Sequence, residues 1–316
     1  MKALIEQIRD RAAELLSSGR VDCVIGYKQG TVPMQEQPFF AHTPEDARQL
    51  TWSVFCTQNL ANFLINRPGK NAVLAKGCVS RSIVGLIKEN QIDRDDVYIL
   101  GIHSPGMVGA SKVQERFPGK VLHQVTLEGG ELVVQGLDFT EKVPFDEVRR
   151  DNCITCTHRN ATLYDEFIGE KGEETGGGDI DKVAAPWDAL NPDERWESFN
   201  QTFQDCIRCY ACRNACPLCY CDTCFVDEHN PQWCGKGQQQ TDIQTFHLLR
   251  AFHCAGRCVD CGACESACPM GIRMRLLTSR LELNVREKYQ YSPGLDMESV
   301  PPLSYYRQDD PEINSD

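Results

Sequence analysis

A cysteine pattern that occurs twice limits what this chain can fold into more than any other feature. The spacing Cys-x2-Cys-x2-Cys-x3-Cys-Pro covers residues 206–217 and recurs at residues 258–269. This run holds a [4Fe–4S] cluster in two-cluster iron–sulfur proteins, where the fourth cysteine ligates the other cluster. A pair of zinc sites is the competing interpretation. The spacing therefore predicts two crossed ligand sets: Cys206, Cys209, Cys212 and Cys268 in the first, and Cys258, Cys261, Cys264 and Cys216 in the second.

The composition agrees with metal binding rather than with disulfides. The chain has 18 cysteines in 316 residues, and its amphipathic start lacks the apolar core of an export signal. It also lacks an apolar run of transmembrane length. We therefore expect a cytoplasmic protein whose cysteines are reduced and available as ligands. The net charge of −12 argues against nucleic acid as a partner.

Five more cysteines lie in the long insert between the two runs, at residues 217–257. They could be spare thiols, a zinc site or the ligands of a fourth [4Fe–4S] cluster. A spare thiol beside a cluster can exchange with a ligand or oxidise, which favours a bound metal. Cys254 follows a predicted helix, whereas Cys234 lies in a loop that moves more freely. The preferred ligand set is therefore Cys219, Cys221, Cys224 and Cys234.

The pattern before residue 169 predicts an α/β domain. Apolar runs indicate strands at 21–27, 72–75 and 97–102, and a hairpin pairs 121–127 with 131–135. A capping hydroxyl at Thr43 and a proline at Pro44 predict a helix that continues to about Asn66, and a second helix covers 81–90. This alternation of strands and helices favours a layered α/β fold.

The same reading of the sequence divides the whole chain into four parts. Residues 1–168 form the α/β domain with an embedded iron–sulfur site, and residues 169–200 form a linker that begins with a glycine-rich stretch. Residues 201–290 form an α+β, ferredoxin-like domain with two clusters and a cysteine-rich insert. It includes helices at 241–253 and 272–287. Residues 291–316 form an extended tail.

Five cysteines lie in the predicted α/β domain, and four of them are candidate ligands. Cys153 and Cys156 form a CxxC pair that needs two more ligands. Cys56 and Cys78 could supply them, although each could equally be a buried structural cysteine. Cys23 lies within a strand and is expected in the core. The spacing alone leaves both interpretations of Cys56 and Cys78 open.

Several segments of this domain, taken in order, resemble a known family. The chain is similar to the beta subunits of deazaflavin-coenzyme-reducing hydrogenases and related formate dehydrogenases. The segments are Glu45–Arg48, Cys56 with Asn59–Ala61, Lys76–Arg81, Gly101–Gly106, Cys153–Thr157 and Asp165–Gly169. The resemblance implies an α/β domain with its own [4Fe–4S] cluster, bound by Cys56, Cys78, Cys153 and Cys156.

The resemblance also names FAD as a candidate cofactor. Lys76 and Arg81 are candidate cofactor-binding residues, either at a flavin phosphate or, preferably, as cations beside a negatively charged cluster. No glycine-rich phosphate loop can be matched. The preferred function is a non-catalytic electron-transfer subunit that carries three or four [4Fe–4S] clusters and binds other redox subunits. The alternatives are a flavin-dependent oxidoreductase subunit, which exchanges hydride with a deazaflavin or nicotinamide coenzyme, and a zinc-rich scaffold.

Overall fold

The computed structural model describes residues 2–174, 181–308 and 310. The strands are β1 (Cys23–Lys28), β2 (Gln37–Ala41), β3 (Leu50–Thr51), β4 (Asn71–Ala75), β5 (Val97–Gly101), β6 (Leu122–Glu128), β7 (Glu131–Gly136), β8 (Thr140–Pro144) and β9 (Glu166–Phe167). The helices are α1 (Lys2–Ser17), α2 (Pro44–Ala47), α3 (Gly77–Lys88), α4 (Ala110–Arg116), α5 (Phe145–Val148), α6 (Asp151–Ile154), α7 (Asp181–Asp188), α8 (Pro192–Phe203), α9 (Ala211–Asn214), α10 (Gln240–Cys254), α11 (Ala263–Ser266) and α12 (Arg275–Tyr289).

The larger sheet has the strand order β2–β1–β4–β5–β9, and β3 also pairs with β1. Strands β1, β4, β5 and β9 are parallel, whereas β2 and β3 are antiparallel to β1. Strand β4 is buried along its whole length, as a central parallel strand should be. Helix α1 packs on this core through Ile8, Ala12 and Leu15, whose spacing places them on one helix face. The predicted α/β class of the first domain is confirmed.

A smaller sheet of β6, β7 and β8 contains the predicted hairpin. Gly129 and Gly130, between β6 and β7, have φ values of +58° and +87°. A two-residue turn with positive φ at both positions matches the right-handed twist of the strands, and glycine adopts it without a steric penalty. Leu132 and Val134 of β7 pack with Val113 of α4 in a separate core.

The helix predicted from Pro44 to about Asn66 is wrong beyond its first turn. The predicted cap is present, since the Thr43 side chain accepts from the Asp46 amide and α2 starts at Pro44. Helix α2 then ends at Ala47, and β3 pairs with β1, where Leu50 is opposite Lys28 and fully buried. Pairing with the sheet buries this segment more completely than a continued helix would, so tertiary packing overrides the local signal.

The second half of the chain is helical. Within the described residues 181–308 the structure has helices and irregular loops but no β-strand, so the predicted α+β, ferredoxin-like class is not confirmed. The predicted helices are found as α10 and α12. Helices α7 and α8 occupy part of the range predicted as linker, and residues 175–180 lie outside the described residues.

The first part of the predicted tail packs against the α/β domain. The Pro293 carbonyl accepts two hydrogen bonds from Arg81, and the Ser299 carbonyl accepts one from Lys88 at 2.6 Å. Part of the tail beyond Arg307 lies outside the described residues. Within the part of the chain that the structure describes, none of the helices combines the length and apolar character needed to cross a bilayer.

Candidate metal centres

The repeated cysteine run folds into the same backbone twice. Arg208 and Tyr210 in the first run have φ values of +51° and +59°, and Asp260 and Gly262 in the second have +53° and +66°. A four-residue helix follows each loop, α9 in the first run and α11 in the second. Left-handed conformation at a residue other than glycine costs about 1–2 kcal/mol. Three such positions show that both loops are held in one demanding shape.

The two loops direct backbone amides at the cysteine sulfurs. The amide of Arg208 donates to Cys206 Sγ at 3.4 Å, and the amide of Asp260 donates to Cys258 Sγ at the same distance. The amide of Ile272 donates to Cys268 Sγ at 3.4 Å. Hydrogen bonds of this kind stabilise a thiolate, which is the form that binds a metal.

The first predicted ligand set lines a single cavity. Its four cysteines, from both runs, meet there: Cys206, Cys209, Cys212 and Cys268. Most of the other lining side chains are apolar or aromatic, such as Phe246 and Met274, and the polar ones include Arg208 and His247. Four thiols from the two halves of a repeat, around one cavity, fit the donor set of a [4Fe–4S] cluster.

The second predicted ligand set also combines cysteines from both runs. Burial raises the pKa of the thiols of Cys258, Cys261 and Cys264, and the nearby thiol of Cys216 raises each pKa further. Cys216, which ends the first run, is therefore close enough to all three cysteines of the second run to interact with them electrostatically. Uncharged thiols are the expected form here without a metal, whereas a bound metal would deprotonate them.

The N-terminal cysteines lie next to this second set. Cys78, at the start of α3, shares one cavity with Cys153 and Cys156, and this cavity is also lined by Cys258 and Cys261. The predicted CxxC pair and Cys78 are thus brought together.

Cys56 is not among the residues that line that cavity. It is fully buried, and its Sγ accepts a hydrogen bond from the Ser53 amide at 3.4 Å. Its carbonyl accepts from Lys76, which itself lines the cavity. The structure therefore places Cys56 behind Lys76 rather than on the cavity wall.

Apart from the exposed Arg286, four cationic side chains line the cavity of Cys78, Cys153 and Cys156. They are Lys76, Arg81, Arg150 and Arg159. Lys76 and Arg81 were predicted from the sequence, whereas Arg150 and Arg159 were missed. The signal for the missed pair is their position just before and just after the CxxC pair. Buried cations of this kind offset the negative charge that thiolate ligands bring.

The four cysteines predicted for a fourth cluster are not brought together. The thiols of Cys216 and Cys254 interact with Cys219 and hold the pKa of Cys219 well below its usual range. Cys234 is buried elsewhere, where its Sγ accepts from Arg208 at 3.3 Å. Cys221 is exposed at the surface.

Cys224 packs against the core around α10. Among the residues that the structure describes, no three histidine, cysteine or acidic side chains are arranged to hold one metal ion.

A tetrahedral zinc site would need thiolates roughly 3.8 Å apart, since each lies about 2.3 Å from the metal. A cubane needs a wider set, because each thiolate binds a different iron atom.

A separate large cleft lies between the α/β domain and the cysteine runs. Its volume is about 760 Å³, and its walls include Glu36, Arg150 and the ligand candidate Cys268. Glu36 accepts hydrogen bonds from Ser53 Oγ at 3.1 Å and from the Gly30 amide at 3.3 Å. Burial raises the pKa of this carboxyl group. Lys76 and Arg81 line the thiol cavity and not this cleft.

Comparison with known proteins tests the family resemblance. The chain is 26% identical to the beta subunit of F420-dependent formate dehydrogenase from Methanocaldococcus jannaschii, over 92% of this chain and 91% of that protein. The predicted resemblance to this beta-subunit family is confirmed. The beta subunit of F420-dependent formate dehydrogenase 1 from Methanococcus maripaludis is 27% identical over 92% of this chain and 90% of its own length.

The similarity to these beta subunits extends past residues 20–170, where the sequence motifs suggested it, because it leaves out less than a tenth of the chain. It therefore includes most of the region that carries the cysteine runs. No family model matches the chain. The F420-reducing [NiFe] hydrogenase complex from Methanosarcina barkeri contains a chain of similar structure, with a TM-score of 0.39, 16% identity, and coverage of 50% of this chain and 63% of that one.

Proposed function

We propose that this chain is the iron–sulfur electron-transfer subunit of a multi-subunit redox complex. The names of its relatives support the general role, because each is a subunit of an F420-dependent formate dehydrogenase. The proposed clusters rest on the cysteine geometry of this chain. We propose three [4Fe–4S] sites rather than four, because the insert cysteines are dispersed.

The observation that carries the proposal is that the three groups of cysteines lie one after another, in a row: the N-terminal group, the second set and the first set. Cys78, Cys153 and Cys156 share a cavity with Cys258 and Cys261. A [4Fe–4S] cluster bound at each set would accept and release one electron at a time; Cys78, Cys153 and Cys156 would bind three of the four iron atoms of the N-terminal cluster, and the fourth iron needs another ligand. Sites that adjoin in this way give electrons a continuous path through the protein.

The second set adjoins the first along the same row. Cys216 lies beside the second set, and its own run also supplies Cys212 to the first set. Arg250, on α10, hydrogen-bonds to the Cys212 carbonyl and lies close to the thiols of Cys216 and Cys264.

The outer end of this row reaches the protein surface. Cys209 of the first set is exposed, and the neighbouring Ile207 and Met270 are 43% and 44% exposed. The cysteines of the second set are less exposed than Cys209. We therefore place the exchange of electrons with a partner subunit at the first set.

A cysteine variant with a matched control tests the proposal. Cys153→Ser should lower the iron content by about four atoms per chain, one cubane, and leave the two sites of the repeat intact. Cys23→Ser is the control, because Cys23 is a buried cysteine of β1 that contacts Arg67 and no predicted ligand. Equal iron in Cys153→Ser and the wild type would reject the N-terminal site.

The large cleft supports a second function, in which this subunit also exchanges hydride with a coenzyme. Its volume of about 760 Å³ is in the range of cofactor sites, and one wall carries Cys268. A flavin in this cleft would lie beside the first set of thiols. The measurement is the flavin content of protein purified without oxygen. About one FAD per chain supports this function, and the absence of FAD rejects it.

A further inference from the structure

Helix α10 carries two buried polar side chains that the proposed function has not yet used. Its buried residues follow one face of the helix: Ile243, Phe246, His247, Arg250, Ala251 and Cys254. His247 is 3% exposed and Arg250 is 5% exposed. Burying an imidazole and a guanidinium group is costly unless each finds a specific partner. The partners of both lie at the cysteine sites.

His247 points at the first thiol set. Its Nε2 lies 3.2 Å from Cys206 Sγ. The ring contacts Phe203 and Phe246, with centroid distances of 4.1 and 4.8 Å. These contacts restrict the rotation of the ring and therefore the direction of its N–H. A thiolate accepts hydrogen bonds, so Nε2 carries the proton when Cys206 binds a metal.

Arg250 lies between the first and second sets. Its Nη2 donates to the carbonyl of Cys212 at 3.2 Å, and its charge lies near the thiols of Cys216 and Cys264. Its Nε is buried and has no hydrogen-bond partner among the residues that the structure describes. An unpartnered donor on a buried cation indicates a missing acceptor, and the sulfurs of a metal cluster are acceptors of the appropriate charge.

We propose that His247 and Arg250 act through the cysteine ligands as positioning residues that set the reduction potentials of the two sites in the repeat. This inference rests on the proposed function. Reduction adds one electron to a site and needs no proton, so a nearby donor or positive charge favours the reduced form. The His247 hydrogen bond raises the potential of the first site alone. The Arg250 charge raises the potentials of both sites. The difference between the two potentials therefore depends mainly on His247, which acts on one site only.

The test is a potentiometric titration of the purified protein, followed by electron paramagnetic resonance of the reduced sites. His247→Phe keeps an aromatic ring but removes the donor, and should lower the midpoint potential of one site. Arg250→Gln should lower both midpoints, whereas Arg250→Lys, which keeps the charge, should stay closer to the wild type. His253→Phe is the control, because His253 lies on the same helix but is exposed.

The outcomes separate this inference from the proposed function. Unchanged midpoints in His247→Phe, with full iron content, would overturn the inference and leave the proposed function standing. Wild-type protein without iron and sulfide would overturn the proposed function itself. If His247→Phe loses its iron, the test uses wild-type protein with ¹⁵N in the histidine rings. The reduced first site should then show magnetic coupling to a ring nitrogen. Absence of this coupling overturns the inference.

Discussion

Arg150 donates a hydrogen bond to the carbonyl oxygen of Gly262, and this contact joins the α/β domain to the second cysteine run. A Cβ atom at Gly262 would lie 2.6 Å from Arg150 Nη2 and 2.7 Å from Asn152 Oδ1. The corresponding position of the first run is Tyr210, which has a similar positive φ and carries a full side chain. Glycine is therefore required at 262 mainly by the close approach of Arg150 and Asn152.

Gly262→Ala should consequently destabilise the protein more than backbone strain alone would. We expect Gly119→Ala to cost about 1 kcal/mol, because Gly119 has φ +71° but open space around its Cβ position. Gly262→Ala adds displacement of Arg150 and should cost about 1–3 kcal/mol more. Urea unfolding of both variants measures the difference, and equal losses would show that the contact with Arg150 is unimportant.

The crossed ligand sets predict an asymmetry between neighbouring cysteines. Cys216→Ser should remove about four iron atoms per chain, because Cys216 lies beside the three thiols of the second run. Cys221→Ser should retain all the iron, since Cys221 lines neither of the two thiol cavities described above. Iron and sulfide analysis of the two purified variants checks this. Loss of iron from Cys221→Ser alone would reverse the assignment.

A largely buried ion pair, between the buried Arg275 and the partly exposed Asp260, holds the loop of the second run against α12. Arg275 Nε lies 2.6 Å from Asp260 Oδ1, and Nη2 lies 2.7 Å from Oδ2. Removing one partner of a buried pair leaves an uncompensated charge, so Arg275→Met should cost about 3–5 kcal/mol in the free energy of unfolding.

The matched control for Arg275→Met is Arg280→Met. Arg280 lies on the same helix and pairs with Asp188, and both side chains of this pair are partly exposed. This change should cost about 0–1 kcal/mol. Denaturant unfolding compares the two variants, and a cost for Arg275→Met as small as that of the control would contradict the role given to the buried pair.

The burial of Glu36 predicts that the stability of the protein depends on pH, and that a single substitution at this position reduces this dependence. Burial raises the pKa of Glu36 in the folded state, so the native protein holds this proton more tightly than the unfolded chain does. Its contribution to stability is therefore greatest at low pH and is lost as the pH rises from the ordinary value near 4.3 through the raised value.

Glu36→Gln should flatten that fall in stability as the pH rises above the ordinary carboxyl value of about 4.3. Glu141, which is exposed on β8, provides the control substitution Glu141→Gln. Unfolding free energies measured across this range decide the point. An unchanged slope in Glu36→Gln would mean that this carboxyl group does not titrate abnormally.

The sequence was sufficient where a residue's role depends on near neighbours or on a repeat. The crossed cysteine spacing predicted which thiols meet around the first cavity, and Thr43 and Asp46 predicted the start of α2. The sequence was insufficient where a distant contact decides. Leu50 joins the sheet through β1, and Cys234 contacts Arg208 rather than the other insert cysteines. Both depend on pairings between segments far apart in the chain, which spacing does not encode.

The same limit explains why the roles of His247 and Arg250 were missed. Both lie on a correctly predicted helix, but neither residue type at that spacing indicates a metal site. Only the fold brings α10 against the two cysteine runs, with His247 at Cys206 and Arg250 at Cys212.

The total content of iron, acid-labile sulfide and zinc in anaerobically purified protein tests the central claim most directly. Three [4Fe–4S] clusters predict about twelve iron atoms and about twelve sulfides per chain, with no stoichiometric zinc. A preparation with several zinc atoms and no sulfide would contradict the claim and make the cysteine sites structural.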